Sequence, residues 1–316
     1  MTINQLKYLM VISKHRSFSK ASDELHVTQP ALTLQIKNLE DEIGFKLFDR
    51  TKKPLTVTRE GELFIKKASS VLMQLDDLQN VAIELEEEIS GVLNIGIIPT
   101  IAPYLTPLFM DDLNKTYPDL QLMITELVTE DIIDKVKEGN LDIGIIATPV
   151  DAKGVNFKKL FYEKFYLFIS DKNKLVAFDS IKISDLELSE LWYLNEGNCF
   201  QNQVNTLCKI SNKVTEKQSF KYQSNSIESL RYIVEHRGGM TFIPELATLT
   251  IPSEKEDLVK EIEGIQPVRE ISAVMAKFVA KQKLIDAFID VVLRNIPGRM
   301  KEMKNNMILD TQIKIV

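Results

Sequence analysis

"SFSKASDELHVTQPALTLQIKNLEDEIGFKLFDR", residues 17–50, reads as two helices joined by a tight turn. Ser17 or Ser19 can cap the first helix, which buries Ala21 and Leu25; His26 and Val27 make the turn. The second helix opens near Thr28 with Pro30 in its first turn, where a missing N–H costs little. Leu32, Ile36, Leu39 and Ile43 follow at steps of four, three and four, forming one apolar stripe, and Gly44 supplies the stop. The opposite face carries Gln29, Thr33, Gln35 and Lys37, polar groups suited to base edges and phosphates. Next, "LFDRTKKPLTVTREG" (47–61) sets a basic turn, Lys52-Lys53-Pro54, between short extended runs. That is a wing able to bring Arg50, Lys52 and Lys53 to a DNA backbone. The plainer alternative is a small helical domain with a solvated polar face.

Charge favours the DNA reading. Residues 1–59 hold ten Lys or Arg and six Asp or Glu, so the head is net +4 while the remainder is −10. A basic head on an acidic body suits a polyanionic partner. The ordered run Ser19, Ala21, Leu25, Thr28-Gln29-Pro30-Ala31-Leu32-Thr33, Ile36, Leu39-Glu40, Gly44, Leu47-Phe48 and Arg50 resembles the winged helix-turn-helix of LysR-type transcriptional regulators. The resemblance implies a recognition helix starting near Thr28, with Gln29, Pro30 and Thr33 nearest the major groove. Leu34 departs from it, standing where many relatives carry a basic or small residue.

Between Arg59 and Ser90 there is no proline and one glycine, Gly61. Phe64, Ala68, Val71, Leu75, Leu78, Ala82, Leu85 and Ile89 alternate steps of four and three, the 3.5-residue repeat of a coiled-coil seam. We therefore expect a linker helix that pairs two chains, which suits a head reading two half-sites. A long helix packed on its own domain is the alternative.

From Gly91 the period changes. "VLNIGIIP", "LQLMITEL" and "LDIGIIA" are short runs rich in branched residues, separated by helix-length segments near 103–116 and 129–139. "FYLFIS", "LWYLNEG" and "GMTFIP" continue the strands, "SIESLRYIVEH" lies as a helix between the last two, and "EISAVMA" and "KLIDAFIDVVLRNI" close the pattern. Such alternation specifies an open α/β architecture whose ligands bind outside the carboxyl ends of strands. The order resembles the LysR-family regulatory domain, two lobes like a periplasmic binding protein. The expected parts are a DNA-binding head over 1–58, a linker and dimerisation helix over 59–90, a regulatory domain over 91–300 and a C-terminal tail over 301–316. Lobe I is 91–162 plus 268–300 and lobe II is 163–267. Everything after about Ile296 reads as polar and frayed.

The chain has two cysteines, Cys199 and Cys208, in "NEGNCFQNQVNTLC" (195–208). Cys199 falls just past the expected strand "LWYLNEG"; Cys208 lies in "QVNTLCKI", where Val204, Leu207 and Ile210 can form a short apolar helix face and buried filler is the plain reading. If 199–208 is helical, nine steps of about 1.5 Å hold the Cα atoms roughly 10 Å or more apart. A disulfide needs them within about 7 Å, so bonding would unwind the segment and switch the conformation, whereas a structural staple would change nothing.

"IGIIPTIAPYLTP", "YLNEGNCFQNQVNTLC", "SLRYIVEHRGGMTFIP" and "PVREISAVMA" together resemble the hydrogen-peroxide-sensing branch of the LysR family. That resemblance implies a peroxidatic Cys199, oxidised to a sulfenic acid that Cys208 resolves, and a peroxide pocket of Thr100, Thr129, Gly197, Asn198 and Arg269. Hydroxyls can orient peroxide oxygens, a glycine admits close backbone approach, and a guanidinium favours thiolate. Asn198 stands where many relatives have histidine, and Gln201 and Asn202 replace a charged pair. The resemblance further implies a transcriptional activator with promoter DNA, RNA polymerase, hydrogen peroxide and a thiol–disulfide reductant as partners, working as a homodimer or homotetramer.

Composition narrows the rest. The start, "MTINQLKYLMVISKHRSFSK", breaks its apolar positions with Lys7, Lys14, His15 and Arg16 and does not read as a secretory signal. No run reaches the roughly 18 apolar residues of a membrane span, so a cytoplasmic protein with reduced thiols is expected. His15, His26 and His236 lack zinc-site spacing, and there is no phosphate-binding glycine loop or nucleophile elbow, so no metal or cofactor is expected. Two other readings stand beside the sensor: a LysR-type regulator of a small metabolite bound between the lobes, and a thiol peroxidase.

Overall fold

Side-chain caps start each helix of the head. In the computed structural model, which describes residues 1–84, 89–195, 198–208, 222, 224–264, 266–277, 279, 281–302 and 307–315, helix α1 (Ile3–His15) begins in a capping box. The Thr2 hydroxyl accepts the Gln5 N–H and the Gln5 side chain accepts the Thr2 N–H. Ser17 caps α2 (Phe18–Glu24), and Thr28 caps α3 (Gln29–Ile43), which stops at Gly44 with φ 83°. Leu32, Ile36 and Leu39 of the α3 stripe are fully buried with Leu6, Leu9, Ile12 and Ala21, each large side chain contributing about 2 kcal/mol of transfer free energy. The strands β1 (Phe48–Asp49) and β2 (Thr56–Val57) pair antiparallel and hold the basic turn between them. The head is a winged helix-turn-helix.

The long helix α4 (Arg59–Glu84) follows. Its expected seam divides: Ala68 is buried in the head's core and Phe64 packs against it, whereas Val71 and Leu78 are exposed. Leu85 lies outside the described residues, and Ile89 comes after the helix, packed against the core of the second unit. The chain divides into two compact units, Met1–Glu87 and Glu88–Val316.

In the second unit, β3 (Gly91–Ile97), α5 (Ala102–Thr116), β4 (Leu120–Glu126), α6 (Thr129–Lys137) and β5 (Ile143–Thr148) build a parallel β4-β3-β5 sheet with helical crossovers. Helix α6 lies close on this sheet; a Cβ added at Gly144 would sit 2.2 Å from Ile132 Cγ2. After the short β6 (Asp151–Ala152), β7 (Val155–Ile169) changes partners along its length. Its first part pairs with β11 (Pro267–Ala276), and Phe165 to Ile169 pair with β9 (Met240–Pro244). Strand β10 (Val259–Ile262) joins β7 and the short β8 (Ser180–Ile181). Helices α7 (Cys199–Cys208), α8 (Ile227–Arg237), the one-turn α9 (Glu245–Thr248) and α10 (Gln282–Asn295) complete this α/β unit, whose strand order is β4-β3-β5-β11-β7-β10-β8. Strand β7 thus spans both halves, and the chain returns from β10 to the first half in β11. No helix among the described residues is long and apolar enough to cross a membrane.

Two expectations need correction. The described residues of "LWYLNEG", 191–195, do not form a strand: Leu191 makes an isolated bridge to Met240, and the backbone N–H groups that follow find scattered partners. Trp192 N donates to Met240 O, Leu194 N to the Gln201 side chain and Asn195 N to Ser224 O. Residues 307–315 of the tail are not frayed either. Strand β12 (Met307–Ile308) pairs parallel with Pro267 and Val268 of β11, β13 (Lys314–Ile315) pairs parallel with β6, and Leu309, Thr311 and Ile313 between them are buried.

Candidate functional site

Both thiols are free, Cys199 buried at the first residue of α7 and Cys208 half-buried at its last. Asn198 acts as the cap, its Oδ1 accepting the Phe200 N–H at 3.0 Å while its carbonyl accepts the Asn202 N–H. Burial pushes the Cys199 thiol up; the Arg269 guanidinium, the Thr129 hydroxyl and the N–H groups of Phe200 and Cys199 pull the other way. Burial alone pushes the Cys208 thiol up to about 12. Both therefore rest protonated at neutral pH, and the groups that would stabilise a thiolate surround Cys199.

Arg269 sits on β11 with no exposed surface. Its Nη1 donates to Thr100 Oγ1 at 2.9 Å, its Nη2 to the Thr100 carbonyl at 3.1 Å and its Nε to Glu163 Oε2 at 2.7 Å. The guanidinium carbon lies 4.9 Å from the centre of the Phe200 ring, which stacks on Phe165 at 5.0 Å. Glu163 is fully buried in β7; burial pushes its carboxyl up, opposed by Arg269 and by the Leu246 N–H, which its Oε1 accepts at 3.1 Å. Thr100 follows β3 and Thr129 begins α6 after β4, both at carboxyl ends of parallel strands. The Thr129 hydroxyl is buried and makes no full hydrogen bond; the acceptor it lies beside is the Cys199 sulfur, whose thiolate it favours.

Cys199, Thr129, Thr100 and Arg269 are thus buried together with Asn198. Gly197 lies outside the described residues. Glu163, which Arg269 grips, was not expected. Its signal was a lone carboxylate inside the apolar run "FYEKFYLFI" of a strand buried at most positions.

On the head, Gln29, Pro30, Thr33, Leu34 and Lys37 line one open hollow on α3. Thr28 lies exposed at the helix start. Gln35 is also exposed, but its side-chain oxygen accepts from Gln5 Nε2 at 3.3 Å. On the wing, Lys53 is exposed, Lys52 is 3.7 Å from Asp49, and Arg50 stacks over Phe18 while its Nη2 reaches Glu40 at 3.2 Å. The buried Glu40 also accepts the Leu47 and Phe48 N–H groups and pairs with Lys46, so it fastens α3 to the wing.

Known proteins share both units. Residues 3–62 match the helix-turn-helix model of the bacterial regulatory proteins of the lysR family, and residues 86–297 match the LysR substrate binding domain. The "Hydrogen peroxide-inducible genes activator" of Haemophilus influenzae is 33% identical over 81% of this chain and 84% of its own length. The "HTH-type transcriptional regulator EstR" of Acinetobacter baylyi is 31% identical over 93% and 96%. Among solved structures, a full-length OxyR variant from Pseudomonas aeruginosa superposes with a TM-score of 0.76 at 28% identity, covering 93% of this chain and 98% of that one.

Proposed function

The chain belongs to the lysR family of DNA-binding transcription regulators, and from that premise we propose that it senses hydrogen peroxide through a reversible Cys199–Cys208 disulfide. The observation that carries the reading is the placement of two free thiols at opposite ends of one short helix, the first buried beside Arg269 and the Thr129 hydroxyl.

In the proposed cycle the Cys199 sulfur attacks one peroxide oxygen and the O–O bond breaks. The leaving oxygen takes up the thiol's proton and departs as water, and Cys199 becomes a sulfenic acid. The Cys208 sulfur then attacks the Cys199 sulfur, the S–OH bond breaks, and the hydroxide leaves as a second water with the Cys208 proton. Two thiols and one peroxide become one disulfide and two waters, and an external dithiol reverses the change. Arg269 and the α7 N-terminus stabilise the thiolate. Thr100, Thr129 and Asn198 orient the peroxide, and Gly197 is kept in the pocket on the sequence resemblance.

On the head, Thr28, Gln29, Pro30, Thr33, Gln35 and Lys37 face the major groove and Arg50, Lys52 and Lys53 the backbone of promoter DNA. The exposed Val71 and Leu78 of α4 support a homodimer through that helix, assembling further to a homotetramer that addresses RNA polymerase in the cytoplasm.

Peroxide-treated full-length protein should yield a Cys199–Cys208 peptide pair by mass mapping. Cys199→Ser should lose the peroxide effect on DNA binding while binding DNA as before. A reactive Cys199 that never pairs would refute the switch. The match of residues 86–297 to the LysR substrate binding domain supports a second reading, a small metabolite bound between the lobes. Ligand-dependent DNA binding by a Cys199→Ser, Cys208→Ser protein would establish it.

A further inference from the structure

Three consecutive amides, Gln201, Asn202 and Gln203, ride on the helix that carries both thiols. Gln201 turns inward, accepting the Leu194 N–H at 2.8 Å. The other two reach the C-terminal segment. Asn202 Nδ2 donates to the Thr311 carbonyl at 3.1 Å and Gln203 Nε2 to the Leu309 carbonyl at 2.8 Å, while Gln312 Nε2 returns a bond to Thr206 Oγ1 at 3.1 Å. Gln203 is fully buried and its Oε1 has no partner. An apolar side chain there would avoid that cost, so the amide is explained by the bond it makes.

Residues 307–315 are anchored elsewhere. Ile308 pairs with Val268, one residue from Arg269, Leu309 N donates to Val268 O, the Thr311 hydroxyl donates to the Pro149 carbonyl, and β13 pairs with β6. The segment is therefore a strap between the strand that holds Arg269 and the helix that begins with Cys199. That helix needs outside support. Ten residues are too few for a stable isolated helix in water, and Asn202, Asn205 and Thr206 are weak helix formers.

We propose that the strap 307–315 is a clamp on α7, in which Asn202 and Gln203 are positioning residues that hold the helical dithiol form and so set how readily Cys199 and Cys208 join. The proposal rests on the disulfide reading above. Because α7 must unwind before the sulfurs meet, the amide–carbonyl bonds to the strap break first, and the strap's hold beside Arg269 loosens with them.

The test uses the full chain and three proteins: wild type, Gln203→Met, and Thr311→Val. The last loosens the strap at Pro149 and removes nothing from α7. Hydrogen exchange across 199–208 is measured in the dithiol form. The thiol–disulfide equilibrium is measured in glutathione buffers, where each disulfide formed converts one oxidised glutathione to two reduced. Gln203→Met should speed exchange and shift the equilibrium toward disulfide, each about tenfold, for one lost bond and one stranded carbonyl. Thr311→Val should move both the same way by roughly threefold. Faster exchange with an unmoved equilibrium, or Thr311→Val matching wild type in both, would overturn the clamp. A wild type that forms no Cys199–Cys208 bond at any glutathione ratio would instead overturn the sensing reading, and the clamp with it.

Discussion

Consider the reduction potential of the Cys199–Cys208 pair in the full chain against that of a synthetic peptide spanning 199–208. Helix α7 runs the whole distance between the two cysteines, and at about 1.5 Å per residue their Cα atoms stand roughly 13 Å apart. A disulfide tolerates about 7 Å. The helix therefore cannot survive the bond. Three well-placed hydrogen bonds exist only while it stands: Leu194 N to Gln201, Asn202 to Thr311 O and Gln203 to Leu309 O. At about 1 kcal/mol each, the folded chain penalises the disulfide by about 3 kcal/mol. For a two-electron couple, that makes its potential about 60 mV more oxidising than the peptide's. The peptide has no such contacts to lose. Parallel titration against glutathione, quenched by alkylation and read by intact mass, measures the difference. A folded chain equal to the peptide, or more reducing, would mean that the fold favours the disulfide. The pair would then be a staple and the reasoning from helix geometry wrong.

The thiol chemistry also fixes a pH dependence. Burial raises the Cys199 thiol above its ordinary value, so in a Cys208→Ser protein the rate of sulfenic acid formation should still be climbing with pH at the ordinary thiol value of about 8.5; a plateau below pH 8 would refute it. The same sign governs stability. The folded thiol holds its proton more tightly than the unfolded one, so its contribution is complete below about pH 8.5 and is lost as pH rises through the folded value. On the wing, Lys52→Ala and Lys53→Ala should each weaken DNA binding on all sequences and reduce the salt slope by about 1, measured by titration at several salt concentrations. Glu40→Ala strands the buried Leu47 and Phe48 N–H groups and should cost the head about 3 kcal/mol in urea unfolding; a change under about 1 kcal/mol would deny Glu40 its fastening role.

What could be read from the sequence was whatever depends on side-chain order. The Leu32–Ile36–Leu39 stripe, the helix start near Thr28 and the Gly44 stop each rest on local chemistry, and the head formed as they indicate. Parallel strands covered on both faces show as apolar runs, and β3 and β5 are such runs. "LWYLNEG" looks the same on that criterion, yet its N–H groups go to a glutamine side chain and to single carbonyls. Apolar content reports burial; a ladder additionally requires a neighbouring strand, which composition does not encode.

The tail marks the sharper limit. Its polarity suggested a frayed end, because polarity predicts what side chains seek. The strap is held chiefly by its backbone: strand pairs at both ends, and the Leu309 and Thr311 carbonyls taken by Gln203 and Asn202. Every residue carries that carbonyl, so the receiving end of such a bond leaves no trace in the sequence. The donating end leaves only an ambiguous one. Gln201, Asn202 and Gln203 lie between Phe200 and Val204, an i, i+4 apolar pair, and at 100° per residue three successive polar groups fit the solvent side of an ordinary surface helix. Which of them turns inward is decided by the tertiary fold, and an inward amide needs a partner. Here the partners are carbonyls about a hundred residues away.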